Sequence, residues 1–418
     1  MKLKKIIQDE LDSFVDLYKH LHANPELSNQ EEKTSKIIAD QLESYGILVS
    51  RNFGGYGVVG LLENGVGPTV MIRTDMDALP ITEESGADYA SCIRTLDLSG
   101  NQTGVMHACG HDMHMTAFLG VAKVLSTLKD KWSGRIIFVG QPAEEDMSGA
   151  RQMISHGLFK KFGRPDFCLA THVAPTIESG KIAVCSGPIM AGTFQLKIIA
   201  QGVGGHGAFP QESRDPIVLA ARIINSLQTI VSREFNPLNP AVVTVGSIHG
   251  GIRANIIPDK VVMEVTTRFA DSEGRNKIFE SIERICRYEA LAMNIPENLL
   301  PIIEFDEKNE VPATINDSLL AETVKKAVCS ELGSQNFVET EMAMGSEDFA
   351  IYRTALPEEI PSCLFFTGAT SISDMEKLVT QGINPPSLHN CKFLPPPEST
   401  ILAATTTMTA TAIQLLSK

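Results

Sequence analysis

The chain has 418 residues, 43% hydrophobic and 21% charged, and its 36 Lys and Arg against 50 Asp and Glu give a formal net charge of −14. This globular composition excludes a collagen, a coiled coil and a disordered chain, and the length predicts two domains. The acidic balance speaks against gripping a phosphate backbone, so a small-molecule partner is expected and nucleic acid is not.

The start reads as helix, with Ile7, Leu11, Phe14, Tyr18 and Leu21 at helical spacing, and stops at Asn24-Pro25. The leading MKLKKIIQDELDSF has no apolar core before its acids and is not expected to be a signal peptide. A second amphipathic helix carries Ile37, Ile38, Leu42 and Tyr45 and ends at Gly46, a C-cap residue. Apolar runs at 57–63, 69–77, 135–140 and 166–173 read as strands, with a helix over Met113–Leu128 between them. Strands alternating with helices predict an α/β sheet covered on both faces.

The texture changes near Gly187-Pro188. Segments 194–202, 241–251 and 260–270 alternate polar and apolar residues, and 216–234 and 272–293 read as helices, the first introduced by Asp215 and Pro216. The order β-α-β-β-α-β describes a split βαβ domain over 190–306, inserted into a larger domain formed by 1–189 and 307–418. Ile401 to Ser417 is free of charge but interrupted by threonines, which predicts a buried closing helix; no membrane partner is expected. The eight cysteines are scattered without a CxxC pair, so a reduced, cytoplasmic protein is expected.

The densest chemical cluster is MHACGHDMH at 106–114, where His107, Cys109, His111, Asp112 and His114 surround Gly110. Cys, His and carboxylate make a donor set for zinc and related ions, and the short Cys-x-His spacing needs the irregular turn that glycine permits. GQPAEED at 140–146 follows a predicted strand. Adjacent carboxylates there are ordinarily solvated, but side by side one can hold an ion while the other handles a proton. Asp75 and Asp77 end an apolar strand, where they either cap the next segment or orient a ligating histidine. His172 ends another strand, and His389 lies in a loop before the last helix. In the inserted segment, His206 sits in the glycine-rich GVGGHGAFP, followed by Asn255 and by Arg268, which is placed to clamp a carboxylate.

With these motifs in order, the chain resembles the M20 family of metallopeptidases. It is most similar to the amidohydrolase branch, with hippurate hydrolases, N-acyl-amino-acid amidohydrolases and auxin-conjugate hydrolases. The matching pieces include HLHANPELS (20–28), DMDALPI (75–81), VMHACGHDMHMT (105–116), QPAEED (141–146), GGHGAFP (204–210), ANIIPD (254–259), MGSEDFA (344–350) and LHN (388–390). The resemblance implies a zinc-peptidase-like mixed sheet carrying an inserted ferredoxin-like lid and dimerisation domain. It implies two divalent ions per chain, bridged by Cys109 and completed by His111, Glu145, His172 and His389. Glu144 would be the general base and then the acid, with Asp77 behind the ligands. His206 would steady the oxyanion from the partner subunit of a homodimer, and Asn255 and Arg268 would contact substrate. In most of the wider family a His ligand stands where this chain has Asp75, so the branch, not the peptidases at large, is matched. A thiolate bridge favours zinc, with Mn, Co and Ni open.

The activity this implies is hydrolysis of an N-acyl-L-amino acid. The alternatives are a dipeptidase or carboxypeptidase on the same scaffold, and a non-catalytic metal-binding relative. Residues 91–104 read as an extended loop at the site mouth that selects the acyl group.

Overall fold

A computed structural model describes residues 3–96 and 100–417. They divide into two compact units, one of residues 1–189, 315–341 and 348–418, the other of residues 190–314 and 342–347.

The first unit is built on an eight-stranded mixed sheet. Its strands are β1 (Leu48–Ser50), β2 (Val58–Asn64), β3 (Thr69–Asp75), β4 (Gly134–Gln141), β5 (Phe167–Glu178), β6 (Ile182–Ala183), β7 (Phe337–Val338) and β8 (Ser362–Thr370), in spatial order β1-β2-β4-β3-β5-β8-β6-β7. The central strands β4, β3, β5 and β8 run parallel, while β2 joins β4 and β6 joins β8 antiparallel. All seven residues of β3 and all nine of β8 are buried, as strands covered on both faces should be. Met115, Phe118, Leu119 and Ala122 of helix His111–Thr127 pack with Ile72, Phe138 and Leu169 of the sheet, and the closing helix Pro397–Leu415 adds Ala403 and Met408. Gly120 lets these two helices approach, since a Cβ there would sit 3.0 Å from Thr405. Because the chain leaves β3 for β4 on one side and then crosses to β5 on the other, the sheet reverses its winding at β3. Ligand sites of α/β folds form at the C-terminal strand ends beside such a reversal.

The second unit has a four-stranded antiparallel sheet in the order 241–250, 260–269, 193–201, 302–311, with helices Pro216–Thr229 and Ser272–Ala292. Leu196, Ile198 and Ala200 face Leu219, Ile223, Ile278 and Ile282, while Gln195 and Lys197 between them are exposed. The Asp215 carboxylate accepts from the Ile217 and Val218 amides, which caps the first helix. This is the β-α-β-β-α-β order read from the sequence, with one boundary moved. The expected return to the large domain at 307 falls inside strand Ile302–Val311, which pairs Leu196 with Phe305 and Thr193 with Val311. That edge strand is solvated over Asp306–Asn309, so it carries no apolar alternation to read. Residues 342–347 also join this unit. Among the described residues no helix is long and apolar enough to cross a membrane.

Candidate metal and active site

Four chain segments meet where β3 and β4 end, beside the middle of β5, which runs on to Glu178 past the end expected near residue 173. β3 delivers Asp75 and Asp77, β4 leads into Glu144 and Glu145, β5 carries His172, and Cys109 with His111 begins the helix that links β3 to β4. Gly110 forms the turn between those two residues. Its φ is +79°, and a Cβ there would meet Val173 Cγ2 at 2.5 Å, so only glycine fits. His389 comes from a loop whose amide donates to the Ala108 carbonyl at 2.9 Å, which ties it to the same turn.

The donor atoms converge. Cys109 Sγ lies 3.5 Å from His172 Nε2, and His389 Nε2 lies 3.5 Å from Glu145 Oε2. His111 Nε2 is 3.8 Å from Glu144 and 3.9 Å from Glu145. Cys109, His111 and His172 form one group with donor atoms within 4.8 Å of one another, and Cys109, Glu145 and His389 form another sharing the thiol. The tautomers fit ligation. His111 Nδ1 bonds the Asp77 carbonyl at 2.8 Å and His172 Nδ1 bonds the Val173 carbonyl at 2.8 Å. A carbonyl only accepts, so both Nδ1 atoms carry the proton and both Nε2 lone pairs face the cluster. His111 Nε2 and Glu145 Oε1 are buried with no hydrogen-bond partner, an arrangement that cations would satisfy.

The charges agree. Burial pushes the Cys109 thiol well above its usual range, with Glu145 adding to it. Burial raises Glu145 to about 7, and lowers His172 to about 3 so that its imidazole is neutral. The residues therefore fit divalent ions, with a soft thiolate shared between two donor groups.

Asp77 supports the carboxylate pair. Its Oδ2 accepts the Glu145 amide at 3.0 Å and the Ser28 hydroxyl at 2.6 Å. Sequence reasoning missed Glu31, whose Oε1 accepts the Ala143 amide at 2.8 Å and the Asn29 amide at 2.9 Å. Ala143 has φ +50°, a left-handed conformation that an alanine adopts only when held, and it sets the direction in which Glu144 and Glu145 leave the strand. Burial raises Glu31 to about 7, helped by the nearby Asp77 charge. Glu31 opens an amphipathic helix, where acids are commonplace, so nothing in the sequence marked it.

The other three predicted residues belong to the second unit. His206 is exposed in a two-residue strand pairing Gly205–His206 with Ile256–Ile257, and its Nδ1 accepts the Ala208 amide at 3.0 Å, leaving Nε2–H as a donor. Asn255 is its neighbour, with its carbonyl accepting the Gly207 amide at 2.9 Å. Arg268 gives Nε to the Met344 carbonyl and Nη1 to Thr193, Thr266 and the Thr267 carbonyl, four uncharged acceptors. Of the 91–104 segment, residues 97–99 lie outside the described residues. The rest includes a short antiparallel pair, Arg94–Leu96 with Gln102–Gly104.

The profile of peptidase family M20/M25/M40 matches residues 71–391, which include every donor of this cluster. The chain belongs to that family. It is similar to an IAA-amino acid hydrolase of Arabidopsis thaliana, 36% identical over 84% of this chain and 76% of that one. It is also 36% identical to thermostable carboxypeptidase 2 of Saccharolobus solfataricus, over 88% of each chain. Among solved structures it resembles a dinuclear metal-binding M20 peptidase of Bacillus subtilis, with TM-score 0.80 and 27% identity, covering 98% of this chain and 99% of that one. The M20 chain is a metal-dependent amidohydrolase with the α/β, mixed-sheet fold that its sequence predicts.

Proposed function

We propose that this M20 enzyme hydrolyses the amide bond of N-acyl-L-amino acids, releasing a carboxylic acid and the free amino acid. The carrying observation is the pair of donor groups sharing Cys109, with Glu144 beside them. Cys109, His111, Glu145, His172 and His389 would hold two divalent ions, with Cys109 common to both. Bound there, such ions supply Lewis acidity, which makes water more acidic and an amide carbonyl more electrophilic.

Glu144 is 4% exposed and has an oxygen 3.8 Å from His111 Nε2. In this reading it takes the proton of the attacking water and gives it to the leaving nitrogen. Asp77 and Glu31 keep its turn in place. His206 Nε2–H donates to the oxygen that gains charge, and Asn255 assists from beside the strand paired with it. Arg268, held by uncharged acceptors, contributes a cation for the substrate carboxylate. His206 acts across a homodimer in this reading. The edge strand Ala241–Gly250 and the exposed Ile248, Ile252 and Ile256 support a second copy as partner. Eight unpaired thiols suit a reducing, cytoplasmic setting.

Amino-acid release from N-acetyl-, N-benzoyl- and indoleacetyl-amino acids, measured beside dipeptides, tests the substrate class. The likeness to a carboxypeptidase keeps peptides as the second reading, and cleavage of dipeptides alone would select it. Cys109→Ala is expected to cost both metal and turnover. Two ions retained in that variant would remove the shared thiolate.

A further inference from the structure

Behind the donor cluster lies a buried polar network with no assigned role. We propose that His114 is a positioning residue, fixed as its Nδ1–H tautomer between the Arg73–Asp75 ion pair and the Val173 amide, and that this lock holds His172 in place for metal. The role rests on His172 being a ligand.

The tautomer follows from the partners. The Val173 amide donates to His114 Nε2 at 2.9 Å, so Nε2 carries the lone pair. Nδ1 must then carry the proton, and it donates to Asp75 Oδ1 at 2.7 Å. The second Asp75 oxygen accepts Arg73 Nη1, also at 2.7 Å. Arg73 is itself fixed, with Nη2 2.9 Å from Asp348 and Nε 3.0 Å from Gln141. Asp348 also accepts Gln141 Nε2 at 2.7 Å and the Ala150 amide at 3.0 Å. Arg73, Asp75 and His114 are no more than 2% exposed, so water does not compete for these bonds.

By donor type and proximity, Asp75, His111 and His114 could also hold an ion. Their hydrogen bonds decide otherwise. Both ring nitrogens of His114 and both oxygens of Asp75 are engaged, whereas His111 Nε2 has no hydrogen-bond partner. His114 therefore supports a ligand. Val173 is held at both ends, its amide by His114 and its carbonyl by His172. The two imidazoles also pack edge to face, with centroids 4.7 Å apart. Asp75 thus orients a histidine, with Arg73 holding its other oxygen.

Two substitutions separate the two hydrogen bonds of the ring. His114→Gln keeps an acceptor near Nε2 for the Val173 amide, and His114→Asn keeps only a donor near Nδ1. Zinc affinity of the full chain is read by competition with a chromophoric chelator. The Asn variant is expected to bind about 10- to 100-fold more weakly, and the Gln variant, which keeps the Val173 bond but loses the one to Asp75, to fall between it and wild type. Wild-type affinity in the Asn variant, or equal losses in both, overturns the role. His172→Ala is measured alongside. Full zinc binding there would remove His172 as a ligand and the role with it, whereas weakened binding there with unaffected His114 variants overturns the role alone. Histidine-labelled nitrogen NMR of the wild-type chain needs no variant to fold if His114→Asn does not. A protonated Nδ1 with a bare Nε2 at His114 is expected, and a protonated Nε2 overturns the lock.

Discussion

His22 bridges two acids in the core of the first unit, with Nδ1 2.6 Å from Asp112 and Nε2 2.9 Å from Glu83, and no side chain of the three more than 1% exposed. Burial alone would weaken its hold on a proton. The hydrogen bonds to Asp112 and Glu83 overcome that and raise it from 6.5 to about 9. Since the folded value exceeds the unfolded one, the stabilisation is fully present below 6.5 and is lost as pH rises through 9. At 1.36 kcal/mol per tenfold change in proton affinity, the full effect is on the order of 3 kcal/mol. Urea unfolding of metal-free wild type and His22→Gln, from about pH 6 to about pH 9.5, isolates it, because groups common to both chains cancel in the difference. The stability gap between the two should shrink by about 3 kcal/mol across that window. Parallel curves would refute the charged bridge. Glu83 also accepts the Ser91 amide at 2.6 Å, so the 83–91 loop should loosen over the same range, read as faster amide exchange.

Gly110→Ala should destabilise the chain by about 2 kcal/mol or more, from the left-handed φ and the contact with Val173, and should weaken zinc binding. Unfolding midpoints and zinc titration check both, and an unchanged midpoint would contradict the fit. Glu144→Gln should keep its metal and lose at least about 100-fold in kcat, because the base is removed and the donors remain. Near-normal turnover would take that role away. Glu31→Ala leaves the Ala143 amide without its acceptor and should lower kcat more than it changes KM. A change confined to KM would place Glu31 in substrate binding instead.

Much of the site was legible because of where its residues fall. Asp75 closes a run apolar enough to read as a core strand, Glu144 follows the end of a second by three residues, and His172 lies within a third, and these strands are parallel neighbours. Cys109-Gly110-His111 was legible because its spacing demands a turn that glycine supplies. His111 and His114 were not distinguishable by spacing, being one helical turn apart on the same face. Only their hydrogen-bond partners tell them apart, His111 Nε2 having none while both ring nitrogens of His114 are engaged. Glu31 and His22 were invisible for a related reason. Each sits in an ordinary amphipathic helix and gains its role from contacts 112 and 90 residues away in sequence, with Ala143 and Asp112 respectively. The strand Ile302–Val311 was cut short because its solvated middle has no alternation to read.

The central claim is metal-dependent cleavage of an N-acyl-amino acid amide. It is tested most directly by measuring amino-acid release on a panel of acetyl-, benzoyl- and indoleacetyl-amino acids with dipeptides. The enzyme is first stripped by chelator and then re-supplied with Zn, Mn, Co or Ni. Restored cleavage of at least one acyl class, absent in the stripped enzyme, is the predicted result. Equal cleavage with and without metal, or cleavage of dipeptides alone, would contradict the account.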